Sequence, residues 1–161
     1  MVAIMPSHRR RARQSGFTLT EALVSVSIVA SFAAMAAPAF TDLIARTRTK
    51  SVASELYAAL SRARSEALMR NTQIAISAKS GSWQTGWVVA DTIGGGNIDD
   101  RGATSGVSVT GPASVSFNAS GRLPSAAAPM FVVTSPASTT ATACVSVDLG
   151  GRPYIKMAAT C

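Results

Sequence analysis

A chain of 161 residues with a formal net charge of +7 has room for one modest domain plus a targeting or anchoring segment. The charge is concentrated in Arg9, Arg10, Arg11 and Arg13; beyond residue 16 the balance is eleven basic against eight acidic residues, or +3, which excludes a polycation. The lone histidine, His8, lies in the same leader and no CxxC spacing occurs, so zinc sites and histidine-based catalysis are set aside.

The first predicted element is apolar. Ala22–Thr41 gives twenty residues without a charge, about the ~30 Å of helix that spans a bilayer core. Basic residues precede it, which favours a cytoplasmic N-terminus, although Arg46, Arg48 and Lys50 soon follow. Glu21 stands at its mouth, and a carboxylate entering hydrocarbon needs a partner. Three origins fit such a segment: a secretory signal peptide cut near Ala37-Pro38-Ala39, an uncleaved anchor, or a prepilin leader cut between Gly16 and Phe17.

Gly16-Phe17-Thr18-Leu19-Thr20-Glu21 resembles the G-F-T-L-x-E signature of type IV prepilins and pseudopilins. The basic leader matches too, and Pro38 corresponds to a proline that many pilins carry. The resemblance implies cleavage after Gly16 by a prepilin peptidase that also methylates the new amine of Phe17. Glu21 then pairs with the Phe17 amine of a neighbouring subunit, or its own, inside a filament core, which makes it an assembly residue.

The helix is expected to continue well beyond the apolar run. Val52, Leu56, Ala59, Leu60, Ala63, Ala67 and Leu68 recur at steps of three and four, predicting an amphipathic half from residue 42 to 70. Pro38 removes one backbone donor and crowds the carbonyl of Ala34, so a bend is expected there. From residue 71 the period changes. Gln73–Lys79 and Trp83–Ala90 alternate as strands around a Ser80-Gly81 turn, with the two tryptophans expected to pack the sheet on the helix. Asp91–Gly106 reads as a loop whose Asp99-Asp100 pair lacks the glutamate of a calcium hand. Further strands are expected near Val107–Thr110, Ser114–Asn118, Pro129–Thr134, Ala143–Leu149 and Pro153–Ala158, with Ser135–Thr142 a loose loop. A hairpin turn at Leu149-Gly150-Gly151-Arg152 brings Cys144 towards the C-terminus, where Cys161 can close a disulfide if the domain is exported.

The downstream half resembles the H-type pseudopilin and T/U-type minor pilin family (GspH/FimT-like). The matching stretches are Ala63-Arg64-Ser65-Glu66-Ala67, Trp83-Gln84-Thr85-Gly86-Trp87, Phe117-Asn118-Ala119-Ser120-Gly121-Arg122 and Gly151-Arg152. The implied fold is α+β and pilin-like, a long N-terminal helical spine, its first half transmembrane, packed on a small antiparallel β-sheet domain. Its parts are a cleaved basic leader (1–16), a membrane and filament-core helix (17–41), the amphipathic half of the spine (42–70) and a periplasmic sheet domain with a C-terminal disulfide loop (71–161).

The implied function is that of a minor pilin priming or tipping a type IV pilus from the inner membrane. Its partners are other pilins or pseudopilins, the prepilin peptidase and N-methyltransferase, and an inner-membrane assembly platform. No catalytic constellation, cofactor or metal site is read. One alternative is the H-type pseudopilin of type II secretion. Another is a DNA-binding minor pilin, since some T-type members contact DNA through a terminal G-R-x-R. Here Gly151-Arg152-Pro153-Tyr154 lacks the second arginine, leaving Arg152 with Lys156 nearby.

Overall fold

The computed structural model describes residues 16–158 and 161, so residues 1–15 of the expected leader lie outside the described part. The chain divides into two units at Ala37/Pro38. Helix α1, Leu19–Arg70, contributes to both and remains helical through Pro38, where the expected bend would fall. At its C-terminus Asn71 adopts a left-handed φ of 50°, and the Thr72 amide donates to the Ala67 carbonyl at 3.3 Å. That is a Schellman stop with asparagine in the place glycine usually takes.

In the first unit the helix is apolar on every side. Leu23, Val24, Val26, Ile28, Val29, Phe32 and Met35 are all exposed. Length and composition suffice to cross a membrane. The polar atoms in this stretch are satisfied locally. Ser25, Ser27 and Ser31 each donate a hydroxyl to the carbonyl four residues back, at 2.8 Å, so none of these hydroxyls is left without a partner.

In the second unit α1 buries Ala45, Thr49, Val52, Ala53, Leu56, Ala59, Leu60, Ala63 and Ala67, a stripe at three- and four-residue steps. Five of the nine are alanine, which lets backbone approach closely. Leu68, expected on this stripe, is half exposed and leans over Gly121.

The expected sheet domain is built as two four-stranded antiparallel sheets. The first has the order β3-β2-β1-β5, from β1 (Ile74–Lys79), β2 (Ser82–Asp91), β3 (Asn97–Arg101) and β5 (Ser114–Phe117). The second has the order β4-β6-β7-β8, from β4 (Ser108–Thr110), β6 (Met130–Ser135), β7 (Ser138–Val147) and β8 (Pro153–Met157). Their apolar faces share one core with the spine. Trp83 of the first sheet meets Phe131 of the second edge-on, centroids 4.8 Å apart, and lies 6.3 Å from Trp87. Both tryptophans are buried, as the packing role requires.

Two loop expectations are corrected. Asn97–Arg101, inside the expected loop, pairs with β2 despite its strand-averse Asn and Asp residues. Charge pairing holds it: Asp99 faces Arg62 at 3.5 Å, Asp100 pairs with Lys79, and Arg101 pairs with Glu55 while lying over the Trp87 ring. The Asp99-Asp100 pair thus serves two separate cations. Ser135–Thr142 likewise forms no loose loop but the tip of the β6–β7 hairpin, with Ser135 opposite Ser138. Its polar side chains are used, since Ser138 and Thr140 bond Asp42 of the spine and Thr140 accepts from Arg46 at 2.9 Å.

Candidate functional site

At the N-terminal end of the described chain, residues 16–18 precede the helix in irregular backbone. The Gly16–Phe17 bond therefore lies in chain that a peptidase could extend, and the Phe17 side chain is 73% exposed. Thr18 caps the helix: its hydroxyl accepts from the Glu21 amide at 3.3 Å, and the Glu21 carboxylate accepts from the Thr18 amide at 3.3 Å. The Thr18 hydroxyl also donates to that carboxylate at 3.2 Å. This reciprocal capping box satisfies donors that every helix start leaves open, and a carboxylate there suits the helix dipole. Thr-x-x-Glu is its sequence signal, one that the reading of Glu21 as an assembly residue did not use. The capping box directs the carboxylate back towards Phe17.

In the C-terminal region, three family motifs meet at Arg64. Its guanidinium donates to the Gly121 carbonyl at 3.1 Å and to the Gly150 carbonyl at 3.4 Å. One spine residue thus holds the turn after β5 and the turn between β7 and β8. Gly151 makes the contact possible: its φ is +80°, and a Cβ there would stand 1.9 Å from the Gly121 oxygen. Gly86 has a similar reason for lacking a side chain, because a Cβ would meet the Arg101 carbonyl of β3 at 2.1 Å. Motifs distant in sequence are parts of a few close backbone contacts.

Cys144 and Cys161 are joined, with Cα atoms 5.7 Å apart. Cys144 lies in β7 opposite Lys156 of β8, so the bond ties the tail after β8 back onto the neighbouring strand. On β8, Tyr154 and Lys156 alternate to one exposed face, and Arg152 immediately precedes the strand at the same two-residue step. Arg152, Arg64 and Tyr57 also line a groove of about 450 Å³.

Two carboxylates are held below the usual range. Asp42 is held there by the hydrogen bond from Ser138 and then by Arg46; Asp91 by the amide of Gly94 and then that of Ile93. Among the described residues no cluster of three or more His, Cys, Asp and Glu side chains is arranged to hold a metal ion.

A long N-terminal helix packed on a small antiparallel sheet domain, with an apolar first half, defines the class of pilin-like filament subunits. The family model described as "Type II transport protein GspH" matches residues 52–151, and a "Prokaryotic N-terminal methylation motif" matches residues 11–37. The chain belongs to the GspH family, as a pilin-like minor subunit. Family membership implies assembly with other pilins, and the family is one of structural subunits. Among solved structures, the type IV minor pilin FimU of Pseudomonas aeruginosa shares the fold. One crystal form matches with a TM-score of 0.62 at 22% identity, covering 69% of this chain and 90% of that one. A second form gives 0.57 at 23%, covering 66% and 91%. No curated protein sequence matches significantly.

Proposed function

We propose that this chain is a minor pilin of a type IV pilus, which primes or tips the filament after prepilin cleavage. Cleavage falls between Gly16 and Phe17, the new Phe17 amine is N-methylated, and residues 17–41 hold the subunit in the inner membrane with its sheet domain in the periplasm. An assembly platform then moves it into the filament. The observation that carries the choice of machine is the fold likeness to a type IV minor pilin across most of that protein's length. Deleting the gene should reduce surface pilin while exoproteins still reach the medium. Intact piliation with exoproteins trapped in the periplasm would instead assign the chain to type II secretion.

Glu21 is the assembly residue, and its cap geometry supplies a clean test. Glutamine at the third helical position still serves a capping box but carries no charge. Glu21→Gln should therefore leave the helix start and the cleavage intact, by mass of the membrane-bound chain, yet lower incorporation into sheared filaments by tenfold or more. The physical cause is the amine left without a counter-ion in an apolar core. Incorporation at the parent level would reduce Glu21 to a cap.

A second reading, DNA contact, is favoured by one observation: Tyr154 and Lys156 share an exposed face of β8, and Arg152 immediately precedes the strand. Cations flanking an aromatic ring suit single-stranded nucleic acid. With only two cations, binding by the full chain in detergent should be weak, with a log–log salt slope of about −1 to −2. A steeper slope unaffected by Arg152→Ala would place the contact elsewhere.

A further inference from the structure

The two sheets end on four edges, β3 and β5 in the first, β4 and β8 in the second. Exposed edges are usually blunted by charge, proline or shortness. β3 carries Asp99, Asp100 and Arg101; β8 begins with Pro153 and carries Lys156; β4 is three residues long. β5, Ser114-Val115-Ser116-Phe117, is one residue longer than β4 and has neither a charge nor a proline.

The register shows which of its groups are unpaired. Val115 lies opposite Ile76 and Phe117 opposite Ile74, and the Ala78 amide donates to the Ala113 carbonyl at 3.3 Å. Residues 113, 115 and 117 therefore turn their main-chain groups to β1, and Ser114 and Ser116 turn theirs outward. Among the described residues no hydrogen bond reaches those outward amides and carbonyls. Val115 and Phe117 are buried on the core side, so the strand is anchored while its outer edge stays open.

Beside this edge runs a groove of about 490 Å³. One wall is Ser114, Val115 and Ser116; the other runs from Leu123 to the first residue of β6, with Pro124, Ala127 and Met130. No charged side chain lines it. We propose that β5 accepts an extended, uncharged strand of a partner polypeptide, laid between β5 and the 123–130 segment. The open edge supplies ladder bonds, and small side chains above and below the strand let it lie close to the apolar wall. Charge decides the chemistry: a charged side chain placed here would lose water without gaining a counter-ion. The far wall decides the form. A lone strand fits between the walls, whereas β5 of a second copy brings β1 beside it, where the 123–130 segment already stands.

This inference holds for either filament system, and its failure leaves the pilin assignment untouched. The probe is a neutral peptide, acetyl-Ser-Val-Ala-Val-Ser-Val-amide, added to the full chain in detergent micelles and read by amide hydrogen exchange. Ser114 and Ser116 should exchange at least tenfold more slowly with peptide, and the amides of β3 and β8 should not change. Ser116→Pro removes one outward donor without touching a bond to β1 and should weaken binding tenfold or more. Ser116→Thr should bind like the parent. The same peptide N-methylated at every residue, which blocks both of its edges, should not bind, and this keeps the test valid even if the proline variant fails to fold. Exchange unchanged by peptide would overturn the proposal, as would equal binding of the N-methylated peptide. Protection that instead grows with protein concentration, without peptide, would overturn the chosen occupant in favour of a second copy.

Discussion

Arg64 makes a spine residue responsible for the geometry of two distant turns. Hydrogen bonds from a charged donor contribute about 1.5–3 kcal/mol where water is partly excluded, and here two carbonyls share one guanidinium. Lysine cannot reproduce the fork, which explains why an arginine belongs in the A-R-x-E-A stretch. Gly151 is the complementary requirement, since its φ and the nearby Gly121 oxygen both exclude a side chain. Gly151→Ala should therefore destabilise the sheet domain by at least about 2 kcal/mol, from left-handed strain plus the displaced turn. Gly102→Ala is the control: nothing lies within 4 Å of its Cβ position, so a change within about 0.5 kcal/mol is expected. Urea titrations followed by fluorescence of the buried Trp83 and Trp87 would separate the two.

The elements differ in how plainly the sequence announces them. The spine was legible because its buried stripe keeps helical steps over many turns, and β1–β2 because alternation flanks Ser80-Gly81, both residues with φ near the left-handed region. β3 was not, because the ion pairs that hold Asp99, Asp100 and Arg101 come from Arg62, Lys79 and Glu55, and local composition carries no trace of them. The start of β7 was hidden for the same reason, its serine and threonine being bonded to Asp42. At the candidate site the processing motif and the cysteine pair were readable, but the convergence on Arg64 was not, since it depends on backbone carbonyls of two turns. The β2–β3 connection carries its own pH response. Asp91 has a folded pKa below its ordinary 3.8, so its contribution is complete above that value and is lost as pH falls below it. Amide exchange at Ile93 and Gly94 should stay slow from neutral pH to about pH 5 and rise, beyond the intrinsic pH trend, once below 3.8. Asp91→Asn should remove the acid-side change.

At the scale of the whole molecule, the first unit supplies an all-round apolar helix and the second a sheet domain whose last strand is tied down. The Cys144–Cys161 bond closes a loop worth about 3 kcal/mol in the chain-entropy model. A filament subunit also bears mechanical load, and there the same bond acts differently. Tension applied at the C-terminus would ordinarily unzip β8 from β7 one rung at a time, because force at a hairpin's free end loads its hydrogen bonds singly. With the bond closed, tension passes from Cys161 directly into the middle of β7 at Cys144, and β8 bears none of it. Pulling the chain from its C-terminus should therefore show an early low-force step only after reduction. The 17-residue separation sets its size, about 50 Å of added length at ~3.5 Å per residue less the 5.7 Å already spanned.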